Sequence, residues 1–226
     1  MKKLYLLFLM LVLCGFNSAF SQDADLVRKA NAGDPAAQVK LGNQYAFGQG
    51  VNRNSQEAVK WFRKAAEQNY PDGEYRLAGM YDVGFGVPAD PATAVKWYLS
   101  AAKQGFVEAE YRLGIMYEQG RGVQKDDAQA AQWYLRAANK GRPDAQLKIG
   151  QLYEEGRGLE QNYKEASQWY LRAAQQNRAA AQYHLGRLYE QGLGVPQSTT
   201  EAIKWYQRAI AGGDAEAEDS LRALEK

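Results

Sequence analysis

The sequence predicts an all-α superhelical solenoid: about five helix-turn-helix repeats of 36 residues closed by half-repeat caps. Three observations predict it. Tryptophan occurs at Trp61, Trp97, Trp133, Trp169 and Trp205 and nowhere else, each step being 36 residues. An aromatic follows every one, as Phe62, Tyr98, Tyr134, Tyr170 and Tyr206. Paired glycines recur at the same period: Gly48 and Gly50, Gly84 and Gly86, Gly120 and Gly122, Gly156 and Gly158, Gly192 and Gly194. Self-similarity at a fixed period of this length is the signature of stacked supersecondary units, none of which buries its apolar face alone.

Taken in chain order, the first segment differs from the rest. Lys2 and Lys3 precede an apolar run from Leu4 to Phe16, then a small-residue stretch with Ala19 and Ser21. This is the three-part pattern of a secretory signal peptide, over 1–21, with Gln22 as the expected mature N-terminus. The run is too short for a membrane span, so the mature chain is expected to have no transmembrane segment. Export to a periplasm is expected, with secretion or a lipid anchor at Cys14 as the competing destinations; Leu13 is large where a lipid-attachment motif wants a small residue. Cys14 is the single cysteine, so the exported chain would hold no disulfide and no cysteine-ligated metal.

Residues 22–35 read as a leading cap, a helix without its tryptophan ending at Gly33. The repeats follow at about 36–71, 72–107, 108–143, 144–179 and 180–215, and a C-terminal cap at 215–226 begins like a first helix but has Glu225 in place of the tyrosine. Within a repeat, Ala109, Leu113 and Tyr117 lie at helical spacing on helix A; Gly-x-Gly reverses the chain; Ala130, Trp133, Tyr134, Ala137 and Ala138 share one face of helix B. Asn54, Asp90, Asp126, Asn162 and Ser198 stand where helix B needs an N-cap. Asn69, Gly105, Gly141, Asn177 and Gly213 stand where it ends, and these are the residue types that take the left-handed conformation. Pro35, Pro71 and Pro143 suit a first helical turn.

The stretch Leu113-Gly114-x-x-Tyr117-x-x-Gly120-x-Gly122-Val123, then Ala130-x-x-Trp133-Tyr134-x-x-Ala137-Ala138-x-x-Gly141, resembles the Sel-one-like repeat (SLR), a relative of the tetratricopeptide repeat. The resemblance covers 36–216, with small departures at Ala78, Ile149, Leu159 and Ile210. It implies an assembly scaffold, often of bacterial envelopes, that binds a protein or peptide in a concave groove lined by helix A. Some secreted relatives carry a disulfide in each repeat and are linked to β-lactam binding, a property at odds with a mature chain lacking cysteine.

Where the repeat leaves residues free, recognition is expected. Tyr75, Tyr111 and Tyr183 share one register of helix A, and Asp82, Glu118, Glu154 and Glu190 share another, predicting a groove with a tyrosine stripe and a carboxylate stripe for a peptide bearing basic and apolar groups. The alternative is that the tyrosines pack between helices and the carboxylates solvate a helix end. Lys40, Arg76, Arg112, Lys148 and His184 form a basic register, which suggests an envelope glycan, peptidoglycan or exopolysaccharide, as the alternative ligand unless acidic neighbours pair with it. Removing Lys2 and Lys3 takes the basic count from 28 to 26, equal to the 26 acidic residues, so no field gathers nucleic acid. One histidine and no mature cysteine allow no Cys-His pair or multi-histidine metal site, and no cofactor is expected. A hydrolase of cell wall or β-lactam is the least supported reading, since no nucleophile-elbow motif occurs.

Overall fold

In the computed structural model, residues 24–224 are described; the expected export segment with Cys14, and Glu225, lie outside them. Among the described residues there are helices and no strands. Helix α1 covers residues 24–31, and α2 (Pro35–Phe47), α3 (Ser55–Ala66), α4 (Pro71–Val83) and α5 (Pro91–Lys103) follow. Then come α6 (Val107–Gln119), α7 (Asp127–Asn139), α8 (Pro143–Glu155), α9 (Tyr163–Gln175), α10 (Ala179–Gln191), α11 (Thr199–Ala211) and α12 (Glu216–Leu224). Even-numbered helices are the A helices and odd-numbered ones the B helices. The chain forms two compact units, up to Gln104 and from Gly105.

The helix ends follow from the residues placed there. Asn54, Asp90, Asp126, Asn162 and Ser198 each accept a hydrogen bond from the amide three residues on, satisfying a donor that has no partner inside the helix. Each of these cap residues also donates its own amide to the carbonyl of Tyr45, Tyr81, Tyr117, Tyr153 or Tyr189 at 2.8–2.9 Å, which closes the A-to-B turn. Asn69 and Asn177 sit at φ 58° and 61°, and Gly33, Gly105, Gly141 and Gly213 also have positive φ. Among the described residues, the A helices with a side-chain cap are the first and the last, where Asp34 accepts from the amide of Ala37 and Asp214 from that of Ala217.

The Gly-x-Gly turn has two separate demands. Gly156 takes φ 69° as the C-cap of α8 and returns its amide to the Leu152 carbonyl. Gly158, at φ 67°, lies against the backbone carbonyl of Asp127 at the start of α7, so a Cβ there would overlap main chain belonging to the preceding repeat. The second glycine is therefore a contact between repeats as well as a turn residue.

Inside each unit the apolar faces meet. In the first, α1 gives Leu26 and Ala30 to a cluster with Ala37 and Leu41, and Val59, Phe62, Leu77 and Met80 form the next. In the second, Tyr134, Ile149, Leu152 and Trp169 form one cluster, and Tyr170, Leu185, Leu188 and Trp205 another. Tyr134, Tyr170 and Tyr206 are completely buried, and Phe62 and Tyr98 nearly so at 2%. The tryptophans are less interior: Trp169 and Trp205 are buried, but Trp61, Trp97 and Trp133 are half-buried. Lys64, Arg136, Arg172 and Arg208, one turn on, lay their cations over Trp61, Trp133, Trp169 and Trp205 at 4.1–4.9 Å. A tryptophan at the flank can accept such a cation, whereas a fully enclosed one cannot.

A row of buried polar side chains also recurs every 36 residues: Gln38, Glu74, Glu110, Gln146 and Gln182, none more than 5% exposed. Gln38, Gln146 and Gln182 donate to the carbonyls of Ala30, Ala138 and Ala174 near the end of the preceding B helix. In four of the five an acceptor oxygen is met from the end of the following B helix: Gln68 on Gln38, Gln104 on Glu74, Lys140 on Glu110 and Gln176 on Gln146, each at 2.8 Å. Through Gln38 and Gln146, α2 and α8 are each tied at their start to the ends of two B helices.

Two outcomes follow. Gly158→Ala is expected to lower stability by at least about 2 kcal/mol more than Gly141→Ala, because a Cβ at Gly141 meets nothing within 4 Å and suffers only from its positive φ; denaturant unfolding of the two variants checks this. Lys140→Met removes the nearer of two cations at buried Glu110, leaving Arg136 at 3.6 Å, and is expected to cost about 1–3 kcal/mol. The pair Glu110→Gln with Lys140→Gln, copying Gln146 and Gln176, should recover most of that loss.

Candidate functional site

In each unit the A helices carry the sequence-predicted residues. Tyr111 on α6 and Tyr183 on α10 are half-buried, each tilted against an interior tyrosine, Tyr134 at 5.6 Å and Tyr206 at 5.9 Å between ring centroids. Arg142 lies over the Tyr111 ring at 4.4 Å and Arg187 over Tyr183 at 5.9 Å. In the first unit Tyr75 meets Tyr98 the same way at 5.7 Å. Each of these half-buried rings packs against a tyrosine that is itself buried in the core.

The carboxylates have an internal role that the sequence reading did not assign. Glu118 accepts the Tyr134 hydroxyl at 2.7 Å, Glu154 that of Tyr170 at 2.6 Å and Glu190 that of Tyr206 at 2.5 Å. A buried phenol needs such an acceptor, and helix A supplies it where helix B inserts the ring. Only 16% of the Glu118 and Glu154 side chains is exposed, and Asp82 is buried. The signal was present in the sequence as a pairing of registers 16 residues apart: where Ala46 stands, its partner is Phe62, which has no hydroxyl, and where a carboxylate stands, the partner is tyrosine.

The carboxylates reach forward as well. Glu118 receives Arg157 at 2.7 Å and Lys148 at 3.2 Å, and these groups surround a small recess of ≈ 100 Å³ with Gln151 and Glu155. Glu154 has His184 Nδ1 at 3.4 Å, without the alignment of a formed hydrogen bond, and Arg187 at 3.7 Å. The His184 ring stacks on Tyr170 with centroids 4.8 Å apart. In the first unit Arg76 is taken up by Asp72 and Asn43, both at 2.9 Å. The basic register is therefore engaged with side chains of the A helices at Arg76, Lys148 and His184, which removes much of its pull on a polyanion.

Burial on its own would raise Glu118, but the hydrogen bonds from Tyr134 and Arg157 and the charge of Lys148 outweigh it and hold the carboxyl below the ordinary range. Glu154 behaves alike: burial is outweighed by His184, Tyr170 and Arg187. Burial, and then the adjacent carboxylate, push the Tyr134 and Tyr170 hydroxyls far up, so both stay protonated donors. Among the described residues no group of three His, Cys, Asp or Glu is arranged to hold a metal, and no helix is long and apolar enough to cross a membrane.

The Sel1 repeat profile matches residues 35–70, 71–106, 107–141, 143–177 and 179–214. The chain belongs to the Sel1 repeat family. Similar solved structures include c5321, a protective antigen of uropathogenic Escherichia coli strains displaying an SLR fold, 38% identical over 89% of this chain with a TM-score of 0.87. A Sel1 repeat protein from Oxalobacter formigenes is 35% identical, covering 85% of this chain and 76% of its own, with a TM-score of 0.76. This chain spans 43% of the length of c5321. The chitin synthase regulator SKT5 of Saccharomyces cerevisiae is 44% identical over 59 residues, 24% of this chain and 8% of the regulator. With these relatives the all-α solenoid class holds. Sel1 repeat proteins generally mediate protein–protein interaction and are generally non-enzymatic scaffolds.

The depressed carboxyls give a pH dependence of definite sign. A group whose folded value lies below its unfolded one contributes in full above the unfolded value, and the contribution is lost as pH falls through the folded one. Glu118→Gln is expected to lower stability by about 1–3 kcal/mol near pH 7, and the gap from wild type should narrow as pH falls below about 4. Thermal unfolding of both proteins across that range checks it.

Proposed function

We propose that this Sel1 repeat protein is an exported, non-enzymatic scaffold that presents the A-helix faces to a protein partner of the cell envelope. One observation carries the reading: Tyr111 and Tyr183 are half-exposed rings already fixed by the tyrosine beneath and the arginine beside them. A ring fixed before binding loses little entropy on binding, and aromatic area of this kind suits a partner with apolar side chains. Tyr75 offers the same kind of anchor in the first unit. Export to the periplasm is supported by Lys2, Lys3, the apolar run and the Ala19 and Ser21 pattern. Protein binding is favoured over glycan binding because Arg76, Lys148 and His184 already face acidic or amide side chains.

The test places a photo-crosslinking residue at Tyr111, Tyr183, or the exposed helix-B positions Gln132 and Gln168 in the full-length protein expressed in a Gram-negative cell. The reading expects one discrete adduct from Tyr111 and Tyr183, recovered with a chain beginning at Gln22, and none from Gln132 or Gln168. Equal adducts from both faces, or a product retaining Met1 inside the cytoplasm, would contradict it.

A further inference from the structure

The buried polar row breaks at the fifth repeat. At the end of each of the first four full B helices a side chain donates to the row: Gln68, Gln104, Lys140 and Gln176. Three of these reach a second acceptor: Gln68 the Lys64 carbonyl of its own helix at 3.1 Å, and, on the end of the preceding B helix, Lys140 the Gly105 carbonyl at 2.9 Å and Gln176 the Gly141 carbonyl at 3.1 Å. The fifth residue in this register is Gly212, which has no side chain.

What the missing side chain would have filled is an open recess of ≈ 590 Å³ lined by Gln182, Asn177, Gly212, Ala211, Gln175 and Arg208, among others. Gln182 is 95% buried, being 5% exposed, and its Nε2 donates to the Ala174 carbonyl at 3.1 Å, as Gln146 does to Ala138 at 3.2 Å. That bond fixes the amide, so Oε1 takes the place where Gln146 Oε1 receives Gln176. Among the described residues, no side chain donates to Gln182 Oε1. The Asn177 carbonyl is the counterpart of that of Gly141, so the recess presents two acceptors in the arrangement that a carboxamide or an ammonium satisfies elsewhere in the same fold.

The geometry points to a binding site for a primary carboxamide, supplied by a glutamine or asparagine side chain of a partner protein, whose NH2 group donates to Gln182 Oε1 and the Asn177 carbonyl. The neighbouring charges choose among donors. Lysine occurs in this register only over an acidic residue, Glu110, whereas neutral Gln38 and Gln146 are met by neutral amides. Gln182 is neutral, and Arg208, with its guanidinium 4.7 Å from the Trp205 ring, lines the same recess and repels a second cation. A carboxylate would set its oxygens against two acceptors. The site lies at the helix-B ends and stands or falls separately from the A-helix faces.

The test is a nitrogen-edited NMR titration of the mature protein with N-acetylglutamine methylamide, and with the corresponding lysine and glutamate compounds. Saturable shifts are expected at the Asn177, Gly212 and Gly213 amides and the Gln182 side chain for the glutamine probe, in the weak range typical of so small a ligand. Binding at least ten-fold weaker is expected for the other two probes. A Cβ at Gly212 would lie 2.8 Å from that of Ala179, so the filled variant is Ala179→Gly with Gly212→Gln, and it should abolish the response. Gln182→Leu should do the same if it folds. No saturable shift, equal response to lysine or glutamate, or an undiminished response in the filled variant would overturn the site.

Discussion

A buried phenol that must be hydrogen-bonded governs this structure. In three repeats helix B drives a tyrosine to complete burial, and the ring lies on a glycine of helix A: a Cβ at Gly114, Gly150 or Gly186 would collide with Tyr134, Tyr170 or Tyr206. The close approach that buries the ring also encloses its hydroxyl, and an unpaired hydroxyl there would cost about 1–3 kcal/mol. Glu118, Glu154 and Glu190 remove that cost. The need then passes to the carboxylates, which are themselves largely enclosed, and in the second unit Lys148 with Arg157, and His184 with Arg187, answer it from the following repeats. Local packing thereby becomes contact between repeats.

The same logic separates what the fold uses from what it leaves for recognition. A polar residue engaged on both sides has little left to offer a ligand, which describes Glu118 and Glu154. Tyr75, Tyr111 and Tyr183 differ, since each packs on an interior tyrosine and is still only half-buried. The buried polar row ties A helices to B helices at the opposite ends, with Gln182 alone left short of a side-chain donor among the described members of the row.

Period, helix ends and turn glycines were legible because each depends on a residue's own conformational chemistry: Asn54 or Asp126 caps whatever helix follows, and Gly141 takes a left-handed conformation wherever a helix stops. Burial was only partly legible. Hydropathy marks Trp133 as the anchor of its repeat, yet the interior position is that of Tyr134, and the indole lies half-buried beneath the Arg136 cation. The polar row was missed because glutamine and glutamate read as surface unless their partners are known. Glu118 read as a free groove carboxylate for the same reason. In both cases the missing information is pairwise, and a repeat protein displays it within one chain: Ala46 goes with Phe62 and Glu118 with Tyr134, while Glu110 goes with Lys140 and Gln146 with Gln176.

The central claim, that the enclosed phenol and its carboxylate act as one unit, is tested most directly by a double-mutant cycle on Tyr170→Phe and Glu154→Gln, read by denaturant unfolding at neutral pH. The account predicts a coupling energy of about 1–3 kcal/mol, with the double variant more stable than the sum of the single losses allows. Additive losses, within about 0.5 kcal/mol, would show that ring and carboxylate are merely neighbours and would contradict it.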